Sequence, residues 1–125
     1  MKMNKKVESL AQDIYDYCKK HYLWGDICMY FNGIALASWP DWAGENGEPV
    51  LEDLYLYNNK DPRTYFEYVN EPNIFSMTFE GPLYDVLNAY CPGWTKHEDN
   101  FIKIFEKHGL YYEMGHAWNL TAYKI

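Results

Sequence analysis

Ile27-Cys28-Met29-Tyr30-Phe31, then Asn32-Gly33, then Ile34-Ala35-Leu36-Ala37-Ser38-Trp39: this stretch decides the fold class. An Asn-Gly pair between two apolar runs favours a type I′ hairpin turn, because both turn residues need positive φ, which Asn tolerates and Gly adopts freely. A turn of that length sets the register. Phe31 then faces Ile34, Met29 faces Leu36 and Ile27 faces Ser38 on one side of the sheet, while Tyr30 meets Ala35 and Cys28 meets Ala37 on the other. That second side is made largely of small residues and admits a helix at close range, with the first helix the natural one to cover it.

Upstream, Val7, Leu10, Ala11, Ile14, Cys18 and Tyr22 recur at three- and four-residue steps and predict an amphipathic helix over 5–22. Lys19, Lys20 and His21 crowd its last turn, where the helix dipole favours cations, and Gly25 is the expected stop. Downstream, residues 40–49 read as a loop by composition, long enough to suggest a functional role. Residues 50–57 read as a strand, with a short helix as the alternative because Leu51, Leu54 and Tyr55 also fit helical spacing. Residues 58–62 are a turn, Thr64 to Val69 an aromatic strand, and Asn70 to Asn73 a turn. Ile74 to Glu80 is a strand with Phe75, Met77 and Phe79 on its buried face and Ser76, Thr78 and Glu80 on the other.

Gly81-Pro82 opens a helix over 83–90, with proline in the first turn. Thr95-Lys96-His97-Glu98 has the form of a capping box for a helix running to His108, which Gly109 terminates. Leu110 to Ile125 is one or two strands, broken near Gly115. Hairpin-length connections and the lack of alternating βα units indicate an α+β fold: a single, mainly antiparallel sheet of about five to seven strands, with the N-terminal helix and two later helices packed on one face. Residues 1–125 are expected to form one domain.

Composition fits that architecture, with 48% hydrophobic and 23% charged residues. Thirteen Tyr accompany six Phe and five Trp. So many phenols cannot all be interior, because each buried hydroxyl needs a partner, and exposed Tyr and Trp are enriched at binding surfaces. The three cysteines show no CxxC spacing and read as small buried hydrophobes. No apolar core follows the basic start, because Glu8, Gln12, Asp13 and Asp16 interrupt it, and the uncharged run from Ile27 to Pro40 is too short to cross a bilayer. A cytoplasmic protein with no membrane partner is the expectation.

No phosphate loop, HExxH, GxSxG or CxxC pattern occurs, so no catalytic residue, metal or cofactor is assigned. Of the four histidines, His97 belongs to the capping box and His108 to a helix end. His116, between aromatics beside a possible bulge, suggests with Trp118 and Tyr112 an aromatic-lined pocket under the helices for a small molecule, in a binding domain or a small enzyme.

Charge is more informative. The net charge is −7, but residues 21–95 hold eleven acids against two bases, a local −9. Asp41, Glu45, Glu48, Glu52 and Asp53 fall close together, with Trp39 and Trp42 at the head of the run. Such a surface repels phosphates, which disfavours direct nucleic-acid binding, and attracts a basic protein. The leading expectation is therefore an acidic, aromatic protein-binding module built on Trp39, Asp41, Trp42, Glu45, Glu48, Glu52 and Asp53, an inhibitor or decoy of a basic, nucleic-acid-handling protein. A plain solvated face is the competing explanation of the charge, and a homodimer paired through an edge strand is a further functional reading.

Overall fold

The computed structural model describes residues 5–42, 44–66, 69 and 74–125. Helix α1 (Lys5–Lys20) buries Val7, Leu10, Ala11, Ile14, Tyr15 and Cys18 along one stripe. Strands β1 (Ile27–Phe31) and β2 (Ile34–Ala37) form the hairpin with the register expected: Phe31 opposite Ile34, Met29 opposite Leu36, Tyr30 opposite Ala35 and Cys28 opposite Ala37. Asn32 and Gly33 both have positive φ, at 53° and 75°. The chain continues through β3 (Asp41–Trp42), β4 (Glu45–Asn46), β5 (Glu48–Leu51), β6 (Leu54–Tyr57), a 3-10 turn (Pro62–Thr64) and β7 (Ser76–Phe79). Helices α2 (Pro82–Leu87) and α3 (Trp94–Lys107) and the hairpin β8 (Leu110–His116) and β9 (Asn119–Lys124) complete it.

The described strands form a seven-stranded sheet in the order β5-β6-β2-β1-β7-β9-β8, with β3 and β4 in a separate two-stranded ladder. Every pairing is antiparallel. The fold is α+β. Because β1 lies at the centre between β2 and β7, all five of its residues are buried.

One face of the sheet carries the main core. Leu10 and Ile14 of α1, Leu83 of α2, and Phe101 and Phe105 of α3 pack on Ile27, Met29, Met77, Phe79 and Leu120. The opposite face holds Cys28, Tyr30, Ala35, Ala37 and Tyr57, covered by Phe66 and Val69 with Trp39 and Trp42 half-buried at the margin. The first helix therefore covers the face of large residues and not the small-residue face. Its apolar stripe matches the broad Met29/Leu36/Phe31 surface, whereas the shallow Ala35/Ala37 surface accommodates flat indole and phenyl rings.

Several local expectations give way to backbone hydrogen bonding. Residues 40–49 are no featureless loop, since β3 and β4 pair within them and Gly47 N–H donates to the Pro40 carbonyl at 2.9 Å. The expected strand 50–57 is two strands, because Asp53 turns the chain with φ 59° and folds β5 onto β6. Of the strand expected from Thr64 to Val69, the described residues form none: Thr64 closes the 3-10 turn, which Asp61 caps by accepting from the Arg63 amide. Glu67, Tyr68 and the turn Asn70 to Asn73 lie outside the described residues.

The Thr95 capping box is absent. Gly93, with φ 79°, precedes α3, Trp94 begins it, and no side chain caps it. Near Gly115 the β8–β9 register shifts between Met114 and His116, so the break is a bulge within one hairpin. Finally, Ser76 is as buried as its apolar neighbours. It lies opposite Thr121 on the second face, and the two hydroxyls satisfy each other at 3.0 Å.

Candidate functional site

Helix α1 ends in a way the sequence did not suggest. Leu23 N–H donates to the Cys18 carbonyl at 2.7 Å and Tyr22 N–H to the Lys19 carbonyl at 3.4 Å. That pair of bonds is a Schellman motif, in which the residue after the cap adopts the left-handed conformation and is usually glycine. Here it is Tyr22, with φ 59°, three residues before the Gly25 expected to stop the helix. A side chain other than glycine in this region costs roughly 1–2 kcal/mol. Packing does not offset that cost: Tyr22 extends the helical stripe on paper, yet it is 89% exposed.

Tyr22 stands at the rim of a cleft of about 630 Å³. Lys19, Trp24, Asp26, Trp39 and Asp53 also line it. The walls come from the end of α1, the end of β2 and the β5–β6 turn. Two further residues at the cleft, Asp26 and Asp53, have left-handed φ values of 56° and 59°. Aspartate tolerates that region, so the strain at the cleft rests on Tyr22. The floor is rigid: Trp24 is buried, its ring meets Tyr15 edge-on with centroids 4.8 Å apart, and its Nε1–H donates to the Asp53 carbonyl at 2.6 Å. The Tyr15 hydroxyl donates to the Glu52 carbonyl, tying the same turn to α1. Asp53 holds the Lys19 ammonium at 2.7 Å, and that hydrogen bond raises the Lys19 pKa.

The seven residues singled out by charge and aromaticity do not share one site. Trp39 and Asp53 both line the cleft, with Glu52 beside Asp53 on the same turn. Trp42 and Glu45 belong to β3–β4, over the second face of the sheet. There Trp42 is no protruding anchor. It is half-buried against Tyr30, Tyr57 and Tyr65, with centroids 5.5–5.8 Å away, and the Lys60 ammonium sits 4.2 Å above its ring. Glu45 pairs with that ammonium at 2.8 Å. Burial draws Lys60 toward its neutral form, but Glu45 and the Tyr65 hydroxyl more than offset this and raise its pKa. Asp41 and Glu48 are exposed, the latter on the edge strand β5. Sequence reasoning missed Tyr22, Trp24 and Asp26. The signal available was a long run, Lys19-Lys20-His21-Tyr22-Leu23-Trp24, with no glycine where the helix had to end.

The alternative pocket is not assembled as expected. His116 and Trp118 stack at 5.2 Å and border a shallow depression of about 290 Å³ with Arg63 and Tyr65. Tyr112 faces the helices instead, packed 4.9 Å from the Phe105 ring, and burial pushes its hydroxyl up to about 12. Beneath α1 a cavity of about 200 Å³ does open against the sheet, but Ala11, Tyr15, Met29, Phe31, Leu36 and Leu54 line it rather than His116, Trp118 or Tyr112. Burial likewise pushes the Cys18 and Cys28 thiols up to about 12, which keeps both protonated and unreactive near neutrality.

The fold joins two distant histidines. His21 and His97 have ring centroids 5.1 Å apart, and His97 Nδ1 shares a 2.7 Å hydrogen bond with the Tyr17 hydroxyl. No group of three metal-ligating side chains occurs among the described residues. Desolvation lowers the His21 pKa below its ordinary 6.5, reinforced by His97, Lys20 and Lys96. The unfolded chain then binds the proton more readily, so stability is full above about pH 6.5 and declines as pH falls toward the folded pKa. In urea titrations between about pH 7.5 and about pH 5.5, the wild-type midpoint is expected to drop relative to that of His21→Asn. Parallel curves for the two proteins would show that His21 carries no such linkage.

The arrangement is an antiparallel α+β protein with an aromatic, carboxylate-rimmed cleft at one end of its sheet. No family model matches the chain, nor does any curated protein or solved structure. Among the described residues, no helix is long and apolar enough to cross a membrane.

Proposed function

We propose that this chain is a protein-binding module that docks a basic partner, acting as an inhibitor or decoy of a nucleic-acid-handling protein. One observation carries the reading: the aromatic residues Tyr22 and Trp39 and the acids Asp26 and Asp53 line the same cleft. Aromatic faces and carboxylates together suit a cationic side chain, which the rings attract through their quadrupoles and the acids by charge. The surrounding −9 charge of residues 21–95 steers such a partner toward the surface and supports the same reading. Carboxylates presented in this way would take the place of phosphates on the partner.

Fluorescence anisotropy with a labelled nona-lysine peptide tests it. Binding is expected to weaken steeply with salt, because exposed charges are screened within roughly 8–10 Å at physiological ionic strength. Neutralising Asp26, Glu52 and Asp53 together should weaken binding at least about tenfold, taking about 0.5 kcal/mol per exposed charge pair. Neutralising Glu8, Glu106 and Glu113, none of which lines the cleft, removes the same charge elsewhere and should leave most of the affinity. Equal losses in the two triple variants would reduce the cleft to a share of diffuse charge and overturn the proposal.

A further inference from the structure

Resting on that reading, we infer that the cleft selects arginine, clamping a guanidinium between Tyr22 and Trp39, and that Lys19 occupies the site until the partner arrives. The first support is Tyr22 itself. Its backbone adopts a conformation suited to glycine, at φ 59°, and its ring is left almost wholly in solvent. A residue that strains the backbone and packs on little is retained at a stability cost, which is the pattern expected where function competes with stability.

The second support is the chemistry around it. A guanidinium is planar, stacks on aromatic faces and bonds carboxylates in a forked geometry, while an ammonium is a compact, strongly hydrated point charge. Tyr22, Trp39, Asp26 and Asp53 all line one cleft of about 630 Å³, so a side chain entering it meets both residue types. The third is the Lys19–Asp53 pair. Its 2.7 Å contact is partly exposed, with side-chain exposures of 34% and 54%. Exposed pairs of this kind are weak and easily exchanged. The intramolecular ammonium thus holds the carboxylate that an incoming guanidinium would take with two hydrogen bonds.

Labelled nona-arginine and nona-lysine peptides, measured by anisotropy against the full chain, provide the test. Wild type is expected to bind nona-arginine about tenfold more tightly than nona-lysine, the scale of a desolvated cation–π contact. Tyr22→Gly should lose that preference and bind both peptides alike, while its melting temperature rises by about 3–5 °C from relief of the left-handed strain. Tyr22→Phe should keep the preference, and Lys19→Gln should tighten nona-arginine binding. Equal affinity of wild type for the two peptides, or a preference that survives Tyr22→Gly, would overturn the arginine clamp while leaving the docking reading in place. Failure of both peptides to bind would remove the docking reading and the clamp with it.

Discussion

Phe105→Ala should remove about 3–5 kcal/mol of stability, the range for truncating a fully buried phenylalanine. Phe105 has no exposed surface and lies at the meeting point of four rings. It contacts Phe75 at 5.9 Å, Phe101 at 5.2 Å and Tyr112 at 4.9 Å, so one side chain joins α3 to β8 and to the residue leading into β7. Deletion leaves a cavity walled by three rigid rings on separate elements, which cannot easily collapse together. Stability of a domain this size is roughly 5–15 kcal/mol, so the variant loses a large share of it. With a slope of about 1–3 kcal/mol per molar in urea, the midpoint should fall by about 2 M. A loss under about 1 kcal/mol would mean that the aromatic junction repacks freely.

Gly81→Ala should be the other severe change, and it should reach the cleft. Gly81 joins β7 to α2 and presses against the segment leading from α1 into β1. A β-carbon there would collide with the Gly25 carbonyl oxygen and lie 3.0 Å from the Gly25 carbonyl carbon. The obstacle is backbone, held by the Glu80 N–H bond to the Asp26 carbonyl at 3.1 Å, so no side-chain rotation relieves it. Overpacking of this kind costs about 1–3 kcal/mol, and displacing Gly25 and Asp26 moves one wall of the site. Both effects should appear together: a lower urea midpoint and weaker binding of the nona-arginine peptide. A variant that loses stability with unchanged binding would show that the loop can yield without altering the cleft.

The parts of the fold legible in the sequence are those set by short-range geometry. Asn32-Gly33 specified the hairpin and its register, the Val7-to-Cys18 stripe specified α1, and Gly109 marked the end of α3. Which face α1 would cover depended on distant partners. The small-residue face is closed by Phe66 and Val69, whose arrival from some thirty residues downstream no local pattern announces. The Thr95 pattern misled because a left-handed Gly93 could begin the helix two residues earlier.

The site was partly legible. Charge density singled out Trp39 and Asp53, which both line the cleft. It also grouped Trp42 and Glu45 with them, although Lys60, fifteen residues beyond Glu45, draws that pair into a separate aromatic nest. Tyr22 escaped notice because its position looks apolar on a helical wheel, and only the backbone reveals that the chain has already turned away.

The strand order has a bearing on how the chain emerges during synthesis. Strand β9 inserts between β7 and β8, so β7 offers an unsatisfied flank until the β8–β9 hairpin has been made. The pairing of β1 with β7 likewise waits for about fifty intervening residues to be made. Nascent chains should therefore stay open and vulnerable to chaperone capture or proteolysis until that hairpin has emerged, and completion of the sheet should be slow and abrupt, as expected when distant segments must pair.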